Sequence, residues 1–199
     1  MQFDTTPFAK IPIGISSCLL GERVRYDGGH KHDAFLSETL APYFEYVPVC
    51  PEVGCGLPVP RESMHLVGTP EHNRLIGIKS GTDYTDQMEA YCARTVEALR
   101  QCDLHGFIFK SRSPSSGLFN VTLYTPEGMP TSQRTSGLFA RAFVRAFPGI
   151  PCEEDGRLHD AELRENFIER VFALKRFRDE VRAAPSVRTL QHFHACSKY

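Results

Sequence analysis

Two cysteines in this chain follow directly on short apolar runs. Ile11 to Ser16 leads into Ser17, Cys18 and Leu19, and Phe44 to Val49 leads into Cys50, Pro51 and Glu52. Both runs have the composition of buried strands. Pro51 has no N–H to give a sheet ladder, so strand pairing must end where Cys50 stands. In an open α/β sheet, ligands bind in the crevice beyond the carboxyl ends of the strands. Cys18, Cys50 and the Glu52 carboxylate are therefore offered to one place. A third apolar run, Gly106 to Lys110, opens into Ser111-Arg112-Ser113-Pro114-Ser115-Ser116-Gly117, which is small, polar and turn-forming. Thiols far apart in sequence but gathered at one sheet edge suit an iron–sulfur cluster or zinc better than a disulfide. No Cys-x-x-Cys occurs. Spacing alone thus leaves both a metal site and a pair of ordinary buried thiols open.

The elements that must hold these residues read as alternating strands and helices. Beyond the strands already named, His32 to Leu40 has short-helix character, and Gly54 to Arg61 is a Gly/Pro-rich loop. Met64 to Gly68 and Arg74 to Ser80 read as a hairpin turning at Pro70–Asn73. Thr82 to Asp103 is the clearest helix, with Met88, Tyr91, Cys92, Val96 and Leu99 on one face, which makes Cys92 a core residue. Val121 to Thr125 is a strand. Ser136 is placed to cap a helix through Phe147, and Asp160 to cap a longer one bearing Leu163, Phe167, Val171 and Leu174. Val187 to Tyr199 reads as a further helical start. Such alternation predicts an α/β, Rossmann-like three-layer domain with a mostly parallel sheet over residues 11–155. A tail over 1–10 precedes it, and a short C-terminal helical extension over 156–199 follows.

Composition narrows the class. The 199 residues carry a net charge of −1, which argues against nonspecific nucleic-acid binding by the chain as a whole. No apolar run is long enough to span a membrane, and residues 1–10 lack a signal-peptide core, so a cytoplasmic protein without a membrane partner is expected. There, seven cysteines are thiols or metal ligands rather than a disulfide framework.

The segments Ile15 to Gly21, Val24 to Gly29, Val47 to Glu52, Gly56 to Arg61 and Ser113 to Gly117 resemble, in order, the motifs of the thiouracil desulfidase family, formerly a domain of unknown function. The resemblance covers roughly residues 10 to 155. Leu163 to Phe172 resembles the opening of a helical domain fused to this one in a bacterial subgroup that is implied to desulfurate 4-thiouridine in transfer RNA. Phe193 to Tyr199 then looks like a decayed early motif of that domain, cut short. The family implies a 4Fe–4S cluster on three cysteines with one iron left for substrate. Position by position, these ligands fall on Cys18, Cys50 and Ser116, where the family has a third cysteine. Cys55 is an alternative third ligand, because the glycines around it permit an inward loop.

The implied reaction is non-redox removal of sulfur from a thiolated uracil, free or in transfer RNA. Glu52 would serve as general base and proton donor, Ser113 would hydrogen-bond the substrate or relay a proton, and Lys110 or Arg112 would steady negative charge. Tyr26, Asp27 and Arg112 would bind substrate, although Asp27 also suits a turn. A serine hydroxyl is a hard, weakly acidic ligand. Ser116 therefore implies little or no intact cluster and little activity in the chain as written. The competing class is a cluster-deficient, non-catalytic nucleotide- or RNA-binding protein. The basic run Lys175, Arg176, Arg178, Arg182 and Arg188 is available to phosphate or to solvent.

Overall fold

The computed structural model describes residues 9–196; most of the expected N-terminal tail and residues 197–199 of the last motif lie outside them. β1 (Ile11–Ser16) buries Ile11, Ile13 and Ile15 completely. β2 (Phe44–Val49) runs parallel to it, from Ile11 opposite Phe44 to Ser16 opposite Val49. Between them lie a tight helical turn over Ser17–Leu20 and a π-type turn over Phe35–Leu40. A single helical turn, α1 (Pro51–Gly54), starts on the proline that stops β2. β3 (Met64–Gly68) and β4 (Asn73–Gly77) make the expected antiparallel hairpin, with β4 three residues shorter than its expected end.

α2 (Thr85–Leu99) buries Met88, Cys92, Val96 and Leu99. It begins three residues late because the Asp83 carboxylate accepts from both the N–H and the hydroxyl of Thr85. β5 (Gly106–Phe109), β6 (Val121–Tyr124), β7 (Pro130–Thr135), α3 (Leu138–Ala146) and β8 (Cys152–Glu154) follow. α4 (Ala161–Arg176) is capped as expected, with Asp160 Oδ1 accepting from Leu163 N at 3.1 Å. α5 (Val187–Cys196) closes the described chain.

Two four-stranded sheets result. One has the order β2-β1-β5-β8 and is parallel throughout; the other, β4-β3-β6-β7, is parallel only between β3 and β6. The parallel sheet is the middle of three layers. Ile11, Ile13 and Ile15 pack with Leu36, Phe167 and Val171, while Phe107 and Phe109 pack with α2, α3 and Leu66, Leu75 and Leu123 of the other sheet. The architecture is α/β with C-terminal helices, and α4 supplies part of the core itself. Helices on both faces are what an all-parallel sheet needs.

Ser136 does not cap α3. Its hydroxyl donates to Leu118 O at 2.6 Å, and Gly137 is the residue before the helix. The first N–H groups of α3 are satisfied from elsewhere: Leu138 N reaches Pro114 O at 3.2 Å and Phe139 N reaches Ser115 O at 2.9 Å. A Cβ on Gly137 would stand 2.5 Å from the Ser115 carbonyl, so only glycine lets the serine loop dock there.

Candidate active site

Each strand of the parallel sheet delivers polar side chains at its carboxyl end. β1 ends in Ser16, Ser17 and Cys18, β2 in Cys50 and Glu52, β5 in Lys110 and the loop 111–117, and β8 in Asp155. The first three ends open on one cavity of about 590 Å³. Its walls include Cys18, Cys50, Glu52, Lys110, Ser113 and Ser116, with Tyr26, Arg25, Lys31 and Arg112 also contributing.

The two oxygens of Glu52 have different partners. Oε2 takes Arg61 Nε at 2.9 Å and Arg61 Nη2. Oε1 accepts from Ser115 Oγ at 2.8 Å and, at 3.4 Å, from Ser113 Oγ. Ser113 Oγ lies 2.9 Å from Ser115 Oγ and accepts from the N–H groups of Ser115 and Ser116 at 3.3 and 3.1 Å. With Ser115 donating to Glu52, the single Ser113 proton is shared between Ser115 Oγ and the more distant Glu52 Oε1. A hydroxyl path along the cavity wall follows: Ser113, Ser115, Glu52.

Cys18 is buried, and its thiol is pushed up to about 11, first by burial, with Lys110 opposing and Cys50 adding. Burial likewise raises Cys50, whose S–H points to Val24 O at 3.9 Å. Both are weak acids until something replaces their protons. Among the described residues no three His, Cys, Asp or Glu side chains form a metal-ligand group. The cavity's donors are thus two thiols and the hydroxyl of Ser116, which is 4% exposed. Cys18 and Cys50 could supply two thiolates to an iron–sulfur cluster, and Ser116 would offer it oxygen in place of a third.

Cys55 belongs to a different environment. It packs with Leu57, Met88 and Cys92 in the apolar core and turns its S–H to Glu52 O at 3.2 Å, away from the cavity walls. In place of the inward loop that the glycines permit stands the turn of α1, whose carbonyls at Pro51 and Val53 take the N–H groups of Cys55 and Gly56. Lys110 is not a free cation: Nζ binds Asp155 Oδ2 at 2.8 Å and Ser111 Oγ at 2.9 Å. Burial acts to raise the Asp155 carboxyl, but the hydrogen bonds from Lys110 and the Ser111 N–H outweigh it and hold the group below its usual range. Asp27 stands outside the cavity lining and closes a turn on Gly29 N at 3.0 Å, the N–H that does most to lower its carboxyl. Tyr26 is half exposed at the cavity, with the Arg25 guanidinium 5.4 Å from its ring centre. Arg112 is exposed with a φ of 60°, a left-handed conformation that non-glycine residues adopt at a cost.

Arg61, Ser115 and Asp155 were not foreseen. Arg61 and Ser115 lie inside recognisable motifs, but nothing in a linear pattern pairs them with Glu52 across nine and 63 residues. Asp155 follows a three-residue strand that has no apolar signature.

A family model described as 2-thiouracil desulfurase matches residues 13–155. Among solved structures, a 4Fe–4S-dependent thiouracil desulfidase, TudS (DUF523Vcz), is similar with a TM-score of 0.61 and 27% identity, covering 79% of this chain and 99% of that one. None of the curated proteins matches. The matched segment contains the strand ends, both cavity cysteines, Glu52 and the serine loop, and the chain belongs to the 2-thiouracil desulfurase family.

Proposed function

We propose that this protein is a desulfidase that exchanges the sulfur of a thiolated uracil for oxygen, releasing hydrosulfide. The observation that carries the reading is the cavity that gathers Cys18, Cys50 and a serine-linked Glu52. Cys18 and Cys50 would hold a 4Fe–4S cluster, with Ser116 at the third position. When bound, such a group supplies a Lewis acid for the soft thiocarbonyl sulfur. The chain's own residues do the rest. Glu52 takes a proton from the water that attacks the ring carbon, and the Ser113–Ser115 path returns a proton towards the departing sulfur. Lys110, fixed by Asp155, sets positive charge beside Cys18 and favours its thiolate. Tyr26 offers a ring face to the pyrimidine. The sulfur leaves at its original oxidation level, so no electron donor is required.

The substrate is a thiolated uracil, either free or as 4-thiouridine in transfer RNA. Arg112 and Lys31 at the cavity are exposed and suited to phosphate. The C-terminal basic run is less available: Arg178 binds Asp103 Oδ1 and Leu104 O, and Lys175 pairs with Asp179. Among the described residues no helix is long and apolar enough to cross a membrane. All seven cysteines are unpaired, in keeping with a reducing cytoplasm.

Anaerobic reconstitution followed by iron and sulfide analysis tests the reading. An iron-loaded chain should release hydrosulfide from thiouracil. A chain that refuses iron yet still binds thiouracil without turnover would favour the cluster-deficient binding protein that Ser116 also suggests. Competition between transfer RNA and free thiouracil at several salt concentrations separates the two substrates. RNA affinity indifferent to salt would count against phosphate contacts by Arg112, Lys31 and the basic helices.

A further inference from the structure

One charged side chain in the cavity wall organises the groups around it. Arg61 has a side chain only 5% exposed. Its Nη2 donates to Val24 O at 2.9 Å, its Nη1 to Pro58 O at 3.2 Å, and its backbone N–H to Tyr26 O at 2.8 Å. A single guanidinium therefore ties the loop after β1 to the loop after α1. The same group binds Glu52, and it does so asymmetrically: Nε and Nη2 both go to Oε2, and neither goes to Oε1.

We infer that Arg61 is a positioning residue that dedicates Glu52 to proton transfer through one oxygen, a role that rests on the desulfidase reading above for its chemistry. Two N–H donors occupy Oε2, so the lone pairs left to accept a proton are those of Oε1. Ser115 Oγ reaches that oxygen at 2.8 Å and connects it to Ser113. A proton removed from water is thereby accepted on the oxygen that faces the serine path and leaves by the same route. Glu52 stands on a helical turn of only four residues, which by itself would not fix the rotation of a long side chain. The planar fork of Arg61, anchored by two backbone carbonyls, does fix it. A lysine ammonium is a point charge without the paired donors and cannot hold the same carboxylate face.

Arg61→Lys and Arg61→Gln test this, alongside Glu52→Gln and the double variant Arg61→Gln/Glu52→Gln. At matched iron content, each Arg61 variant should lose about 10²-fold in kcat, the scale expected for a misplaced catalytic group, while KM stays within about threefold. The double variant should be no slower than Glu52→Gln alone, because Arg61 acts only through that carboxylate. Additive losses, or a raised KM with unchanged kcat, would overturn the assignment. The second readout needs no turnover. A crystal structure of Arg61→Gln, or of Arg61→Lys if the former does not fold, should show Glu52 Oε1 withdrawn from Ser115 Oγ. A carboxylate left at 2.8 Å from Ser115 would refute the positioning role. An unaltered chain that releases no sulfide would remove the desulfidase reading but leave this structural result to decide the matter of Arg61.

Discussion

Glu52 and Ser116 carry the two residue-level consequences that most affect activity. Glu52 is the carboxylate of the cavity joined to a hydroxyl path, so replacing it with glutamine removes the proton acceptor while keeping the shape. Turnover should fall by about 10²–10⁴, the usual contribution of a general base, with iron content unchanged. Ser116 offers oxygen where the family resemblance implies sulfur, and thiolate is the better match for iron in such clusters. Its neighbours are already in place: Ser116 N donates to Ser113 Oγ at 3.1 Å, and the side chain faces the cavity shared with Cys18 and Cys50. Ser116→Cys should therefore raise the iron retained per chain after anaerobic desalting. Cys55→Ala should leave it unchanged, because that thiol is packed against Leu57, Met88 and Cys92. Iron that drops with Cys55→Ala would show that the loop refolds to supply a ligand.

At the scale of elements, the serine loop owes its position to α3. The carbonyls of Pro114 and Ser115 accept from the first N–H groups of that helix, an arrangement possible only because Gly137 has no side chain. Gly137→Ala forces a Cβ to within 2.5 Å of the Ser115 carbonyl, so the loop or the helix must move. The expected cost is about 1–3 kcal/mol of stability, read by urea unfolding, together with slower turnover because Ser113 and Ser115 shift with the loop. The hairpin side of the cavity depends on another carboxylate. Glu62 accepts from Ser80 Oγ, Ser80 N, Lys79 N and Tyr84 Oη, and these bonds, led by the Ser80 hydroxyl, hold its carboxyl down at about 2. A folded value below the ordinary 4.5 means that this contribution is present above pH 4.5 and is lost as pH falls towards 2. Glu62→Gln should flatten the acid dependence of stability in that window.

Much of this was legible in the linear pattern. β1, β2, β5 and α2 announce themselves by apolar spacing, and Pro51 fixes where β2 must stop. β7 was not legible, because Pro130–Thr135 is polar and largely exposed and is a strand only through its pairing with β6. Nor was β8, whose two buried glutamates look like surface residues until Glu154 is seen to accept the N–H groups of Leu118 and Phe119. The same reason hid Arg61. Long-range polar pairing leaves no period in a sequence, whereas apolar burial does.

For the whole molecule, the parallel sheet, α4 and the following π-type turn over Phe177–Arg182 form one packed body, and a histidine lies at the seam between them. His105 is 1% exposed, and neither ring nitrogen has a hydrogen-bond partner among the described residues. Arg178 and Lys175 disfavour its protonation, Asp103 and Asp179 favour it, and burial is the largest influence, holding its pKa below the ordinary 6.5. The fold thus prefers the neutral ring. Stability should be intact above pH 6.5 and fall as pH drops through the lowered folded value, where the unfolded chain takes up the proton first. His105→Leu should remove that part of the slope, measured by urea midpoints across the range. The proposed chemistry of the cavity is reached most directly by one assay. Thiouracil is incubated anaerobically with reconstituted, desalted Ser116→Cys protein and with the unaltered chain, while uracil and hydrosulfide are quantified together. Uracil and hydrosulfide should appear one for one without an electron donor, faster with the variant. Iron-loaded protein that yields neither product, or yields them only when a reductant is supplied, would contradict it.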